Sequence, residues 1–261
     1  MTAHRARKRF GQNFLVAADI IDAIIAAIAP RRDDLLVEIG PGLGALTAPL
    51  LQKLAHLHVI EIDRDLVAHL QQRFNGAALS VHPADALDFD FTALAGEQPL
   101  HVVGNLPYNI STPLLFHLVA HRAVIARMHF MLQREVAARL AAAPGGGDYG
   151  RLSVMLQYHF DIEMLIDVPA SCFEPAPKVA SSVVQLSARR RSEQESAVDL
   201  ALFSRLVAAA FAQRRKMLRN TLKSFGGESL LAAVGIDPTA RAENLAVADY
   251  VRLCNHLAAS S

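Results

Sequence analysis

Leu35-Leu36-Val37-Glu38-Ile39-Gly40-Pro41-Gly42-Leu43-Gly44 reads as a short buried strand running straight into a glycine-rich turn. Glycines at this spacing let the backbone turn tightly and approach a ligand closely. A helix over Ala45–Leu54 is expected next. Upstream, Asp19 is placed to cap an apolar-periodic helix over Ile20–Ile28, which Pro30 stops. Downstream, Leu57–Asp63 is a second strand that ends in acids, and Arg64–Phe74 a helix. Leu79–His82 is a third strand with Asp85 just beyond its end, and His101–Gly104 a fourth. Pro113–Ala120 should be helical and Arg127–Leu132 a fifth strand, followed by a helix over Arg134–Ala143 and the loop Pro144–Gly147. Leu152–Phe160 reads as helix, Glu163–Val168 and Ser181–Ser187 as strands. The alternation implies an α/β fold, a mainly parallel sheet with helices on both faces.

Past this sheet the pattern changes. Arg189–Ala197 is polar and without periodicity, and from Leu200 every segment reads as helix: Leu200–Gln213, Arg214–Ser224, Glu228–Val234 and Val247–Ala258. The expected organisation is a catalytic domain over residues 1–188, a linker over 189–199 and a small all-helical domain over 200–261. The 52% hydrophobic content supports a globular chain with ample core, and a formal net charge of +1 means that any nucleic-acid surface must come from local clustering. Cys172 and Cys254 match no metal-ligand spacing and read as free thiols in a reducing compartment. With no apolar signal core and no membrane-length apolar run, the chain reads as cytoplasmic.

Two stretches bear on chemistry. Gly40-x-Gly42-x-x-Ala45, with Glu61 downstream to bind ribose hydroxyls, fits a dinucleotide fingerprint. It fits equally the Glu-x-Gly-x-Gly-x-Gly loop of enzymes that use S-adenosyl-L-methionine (SAM). Asp85 after the third strand favours SAM, and no hydride-transfer acid/base constellation is apparent. The second stretch is Asn105-Leu106-Pro107-Tyr108. Pro107 ends the fourth strand in a stiff turn, so an amide, a backbone carbonyl and a ring are presented together at the carboxyl edge of the sheet. An ordinary Asx/Pro turn would account for those four residues by themselves. They also resemble the (Asn/Asp/Ser)-Pro-Pro-(Tyr/Phe) signature of methyltransferases acting on exocyclic amines.

Taken together, Gln12-Asn13-Phe14-Leu15, Glu38–Gly44, Glu61-Ile62-Asp63 and Asn105–Tyr108 resemble one family, the bacterial 16S ribosomal RNA dimethyladenosine transferases. Phe173-x-Pro175-x-Pro177-Lys178-Val179-x-Ser181 and Arg241-Ala242-Glu243-Asn244-Leu245 extend the likeness from about Arg7 to about Leu257, with no departure at a motif position. The erythromycin-resistance ribosomal methylases share the catalytic half. The resemblance implies a Rossmann-like SAM-dependent methyltransferase that adds two methyls to the N6 amine of each of two adjacent adenosines. These lie in a hairpin near the 3′ end of 16S rRNA within the pre-30S ribosomal subunit. It also implies a late role in ribosome assembly, a monomer, and no metal. By motif, SAM contacts fall on Asn13, Leu15, Gly40, Gly42, Glu61, Asp85 and Asn105. The catalytic set is Asn105, Leu106, Pro107, Tyr108 and Phe173. Tyr108 and Phe173 would hold the two faces of a base that has left its stack.

RNA would be met by Arg7, Lys8 and Arg9 in the basic arm, by Lys178, and by Arg214, Arg215, Lys216 and Arg219 in a stretch without acids from Ser204 through Gly227. A solvated charged face is the plainer reading of such a run. The other function class open to this chain is a non-catalytic RNA-binding assembly factor on the same fold. Intact cofactor and amine motifs favour the enzyme.

Overall fold

The computed structural model describes residues 12–190, 192 and 196–260. In chain order its elements are β1 (Phe14–Leu15), α1 (Ala18–Ile28), β2 (Leu35–Ile39), α2 (Thr47–Leu51), β3 (Leu57–Glu61), α3 (Arg64–Arg73), β4 (Leu79–Pro83), α4 (Phe91–Ala95) and β5 (Leu100–Asn105). There follow α5 (Ser111–Ala120), β6 (Ile125–Gln133), α6 (Arg134–Ala141), α7 (Arg151–His159), β7 (Phe160–Val168), β8 (Phe173–Glu174) and β9 (Ser181–Ala188). The last helices are α8 (Leu200–Ala210), α9 (Leu218–Thr221), α10 (Gly227–Ala233) and α11 (Val247–Ala259). Among the described residues no helix is long and apolar enough to cross a membrane.

The chain divides into two compact units, one of residues up to Ala137 with Asp161–Ala188, the other of Ala138–Phe160 with residues from Arg189 onward. Residues 138–160, which the sequence reading leaves in the catalytic part, thus cluster with the helices.

In the first unit, seven described strands form one sheet in the order β4-β3-β2-β5-β6-β9-β7. From β4 to β6 neighbours run parallel, and β9 is antiparallel to β6. Strands covered on both faces need mostly apolar side chains, hence the largely apolar β2 and β5, whose buried Glu38 and His101 are each hydrogen-bonded. Ile24, Ile25 and Ile28 of α1 share a core with Leu36, Leu50, Leu57 and Val103. The strand order reverses between β2 and β5, and at such a switch point the carboxyl ends part into a crevice. Gly104 sets how closely those two strands approach: a Cβ there would lie 2.4 Å from the Ile39 carbonyl oxygen.

Differences from the sequence reading trace to particular contacts. α1 starts at Ala18 with Ala17 as its cap and no side-chain cap bond, so Asp19 sits in the first turn and acts through the helix dipole. β1 pairs with β8, Leu15 opposite Phe173, across more than 150 residues that no local pattern connects. In the second unit, Arg214–Ser224 is not one helix: residues 214–216 form turns and a bend, Met217 bridges Arg241, Leu218–Thr221 is a single α-helical turn and a 3-10 turn begins at Lys223. α7, α8 and α11 pack together around buried Tyr158, Phe203 and Tyr250.

A buried imidazole relay crosses the sheet. Arg127 Nε donates to His101 Nδ1 at 3.1 Å, His101 Nε2 meets His129 Nδ1 at 2.8 Å, and His129 Nε2 meets Gln185 Oε1 at 3.0 Å. A guanidinium only donates, so each ring's proton is fixed on Nε2 and both rings are neutral. Burial, helped by the Arg127 charge, holds His101 down at about 2 and His129 at about 4. Depressed folded values mean that the unfolded chain takes up protons first. Stability from these rings is therefore present above their ordinary value and lost as pH falls below about 6.5, towards 4 for His129 and towards 2 for His101. Their ring resonances should stay flat in NMR spectra from pH 7.5 to 5; a midpoint near 6.5 for either would show an open, protonatable imidazole.

Candidate active site

The crevice at the carboxyl ends of β2 and β5 is a cavity of about 660 Å³. Its floor is the turn after β2. Gly40 and Gly42 have φ of 64° and 57°, a region costly for residues with a Cβ, and the Gly40 amide donates to Ile60 O at 2.9 Å. A Cβ on Gly42 would sit 3.1 Å from the Phe14 ring. Glycine at 42 therefore leaves room for the segment Gln12–Val16, which lies across the loop and forms one wall.

Acids line one side. Glu61 ends β3, is 6% exposed, and accepts from the Asp63 amide at 2.9 Å and the Gly42 amide at 3.4 Å. Burial pushes its carboxyl up, while those backbone donors pull it back. Glu38 is 2% exposed and accepts from the Thr47 hydroxyl at 2.6 Å. Burial pushes it up to about 7, against the Thr47 bond and with the neighbouring Glu61 charge. The sequence motif contains Glu38 but assigns it no role. Asp85 lines the cavity and accepts from the Leu87 amide at 2.9 Å. Asp63 does not line it: the carboxylate caps α3 through Asp65 N at 3.1 Å and accepts from Gln12 Nε2 at 3.2 Å.

The amine motif closes the opposite side. Asn105, Leu106, Pro107 and Tyr108 all line the cavity, as do Asn13 and Leu15 of the Gln12–Val16 segment, the strap. Asn105 Nδ2 donates to Asn13 O at 3.1 Å, which orients the amide and leaves Oδ1 to accept. Leu106 N donates to Met131 O at 3.1 Å, fixing that peptide against β6. Phe173 is elsewhere. It is 4% exposed in the core beside Leu15, because the β1–β8 pairing turns it inward, and it does not line the cavity.

Of the cationic residues, Lys178, Arg215, Lys216 and Arg219 are exposed, and Arg7, Lys8 and Arg9 lie outside the described residues. Arg214 pairs with Glu243 at 3.4 Å and donates to the Gly147 carbonyl. Glu243 comes from outside the acid-free stretch, so its neutralising effect is invisible in the local sequence.

Comparison with known proteins settles the family. The profile described as ribosomal RNA adenine dimethylase matches residues 3–259. The chain belongs to this family. A relative named ribosomal RNA small subunit methyltransferase A, from Aromatoleum aromaticum, is 58% identical over 100% of this chain and 97% of its own length. A protein of the same name from Neisseria meningitidis is 53% identical over 99% and 98%. Among solved structures, the dimethyladenosine transferase from Plasmodium falciparum superposes with a TM-score of 0.79 at 26% identity, over 92% of this chain and 95% of that one. The 23S rRNA methyltransferase ErmE gives a TM-score of 0.70 at 25% identity, over 94% and 100%. This member of the dimethylase family is accordingly a SAM-dependent methyltransferase with a Rossmann-like sheet.

Proposed function

We propose that the enzyme converts two adjacent adenosines in a hairpin near the 3′ end of 16S rRNA to their N6,N6-dimethyl forms. Its substrate is the immature 30S subunit, met in the cytoplasm by a monomer, and its action contributes to late subunit assembly. The observation that carries this reading is the Asn105 amide, held by Asn13 so that an acceptor remains at the cavity.

The residues present fit the cofactor. Gly40 and Gly42 admit close backbone approach, Glu61 offers an acid already oriented by two amides, and Asp85 stands beyond β4 where an adenine amine would be met. When bound, SAM supplies an electrophilic methyl on a sulfonium whose departure is neutral, so no general acid is required. Asn105 Oδ1 and the Leu106 carbonyl accept the two hydrogens of the adenine amine and favour a pyramidal nitrogen. Tyr108 stacks on the base and fixes its plane. The amine becomes acidic only after methylation and then loses its proton to water. The protein thus contributes positioning and exclusion of solvent, which can supply several orders of magnitude. Transfer of labelled methyl from SAM to immature 30S particles tests the whole reading; incorporation no higher than without enzyme would refute it.

Glu61→Ala should weaken SAM binding by about 1.5–3 kcal/mol, the range for a hydrogen bond to a charged group. Calorimetry giving an unchanged Kd would remove Glu61 from the ribose site.

For RNA, the exposed Lys178, Arg215, Lys216 and Arg219 act on phosphates, together with Arg7, Lys8 and Arg9 of the arm. Arg214 contributes less, since Glu243 already meets it. Changing Arg214, Arg215 and Lys216 together to Ala should shrink the log–log salt slope of 30S binding by about 0.7–0.9 for each phosphate left without its cation. SAM affinity should stay the same. Superimposed salt lines for the two proteins would mean that this turn does not touch RNA.

A further inference from the structure

We infer that Ser181 is a positioning residue for methyl transfer, acting through the hydroxyl of Tyr108 to hold in place the ring on which the target base stacks. The inference rests on the stacking role given to Tyr108 above. Tyr108 is half-buried at the cavity, while Ser181 is 0% exposed and does not line it. Their oxygens are 2.8 Å apart, within the range of a good O–H···O bond.

The two residues are 73 positions apart, yet one strand locates both. Asn105 pairs with Met131 on β6, and the Leu106 amide donates to Met131 O at 3.1 Å. Two residues on, Gln133 pairs with Ser181 at the start of β9, and Arg134 N donates to Ala180 O at 3.0 Å. The Tyr108 backbone is held separately, its carbonyl accepting from Ser111 Oγ at 3.2 Å. With the main chain fixed, what remains free is rotation of the side chain, and a bond to the phenol oxygen at the far end of the ring fixes the direction in which the ring points.

A serine at the first residue of a buried strand has no packing advantage over alanine, and its hydroxyl needs a partner once buried. Tyr108 supplies that partner. Burial pushes the phenol up and the Ser181 bond acts against it, so the hydroxyl stays protonated and the pair keeps its bond at neutral pH.

The test compares S181A, Y108F, the double variant and Y108A in single-turnover methyl transfer to immature 30S particles, with SAM affinity measured alongside. Losing one neutral hydrogen bond predicts about a three- to tenfold lower rate in both S181A and Y108F. The double variant should be no slower than either alone, because both changes delete the same bond. SAM affinity should be unchanged in S181A, Y108F and the double variant. Wild-type rates in S181A or Y108F, or a double variant slowed by the product of the single effects, would overturn the inference. Should S181A fail to fold, Y108F removes the same bond at a half-buried position and decides alone. Y108A separates the two readings: if it retains the wild-type rate, the stacking role of Tyr108 fails. If it loses activity while Y108F and S181A keep theirs, only the Ser181 inference fails.

Discussion

Replacing Asn105 by alanine is expected to slow methyl transfer by about 10²–10³-fold, the loss seen when a single preorganised polar group facing a reacting centre is removed. The adenine amine is a poor nucleophile because its lone pair is delocalised into the ring, and two acceptors must draw its hydrogens out of the ring plane. Asn105 Oδ1 is one of them, the Leu106 carbonyl the other. Alanine also removes the bond from Nδ2 to Asn13 O, so the strap loses one tie and SAM affinity should fall by a smaller factor, about two- to tenfold. Asn105→Asp would keep an acceptor but set a carboxylate against the Asn13 carbonyl, and should lie between the two. Single-turnover rates on saturating 30S particles measure the effect directly. A rate within a factor of two of wild type would remove the amide from the chemistry.

Gly104→Ala should be the most damaging single change to the fold. Its Cβ would be 2.4 Å from the Ile39 carbonyl oxygen, a distance that no rotamer change relieves because both partners are backbone. The flanking strands β2 and β5 lie inside the sheet, so separating them breaks ladder bonds and core packing together. A loss of about 4 kcal/mol or more is expected, a large part of the 5–15 kcal/mol that holds a typical domain. For a protein of this size that corresponds to about 8–16 °C in Tm, or to insoluble expression. Gly147→Ala is the control: a Cβ there meets only the Arg214 guanidinium, at an ordinary contact distance of 3.9 Å, and stability should change by less than about 0.5 kcal/mol. Equal melting temperatures for Gly104→Ala and wild type would show that the strands can part at little cost.

What could be read from the chain followed the range of the interactions concerned. β2, β3 and β5 were legible because burial on both faces writes itself into consecutive residues, and the glycine turn because its φ values exclude most other residues. The motif Asn105–Tyr108 carried its position with it, since Pro107 ends the strand. The burial of Phe173 was not legible because its direction depends on Leu15, its partner in a two-residue ribbon formed across more than 150 residues. The run after Phe211 has helix-compatible residues but lacks a sustained apolar stripe, and the Met217–Arg241 bridge holds it in turns. Glu38 shows the same limit in electrostatics. Its residue type was visible, but its displacement to about 7 comes from burial and from Glu61, a neighbour only through the pairing of β2 with β3.

The contact between Phe14 and Gly42 has a consequence for exchanging parts between homologues. The Phe14 ring occupies the space that a side chain at 42 would need, with 3.1 Å to a Cβ built there. Strap and glycine turn are therefore a matched pair, though 28 positions apart. A chimera that imports a turn with alanine at position 42 while keeping Phe14 would set a methyl against the ring and an unfavourable φ of 57° beneath it. Trimming residue 14 at the same time relieves only the first. Recombination crossovers between the strap and β2 that keep Phe14 should thus be tolerated only where the parent supplying the turn carries glycine at that position.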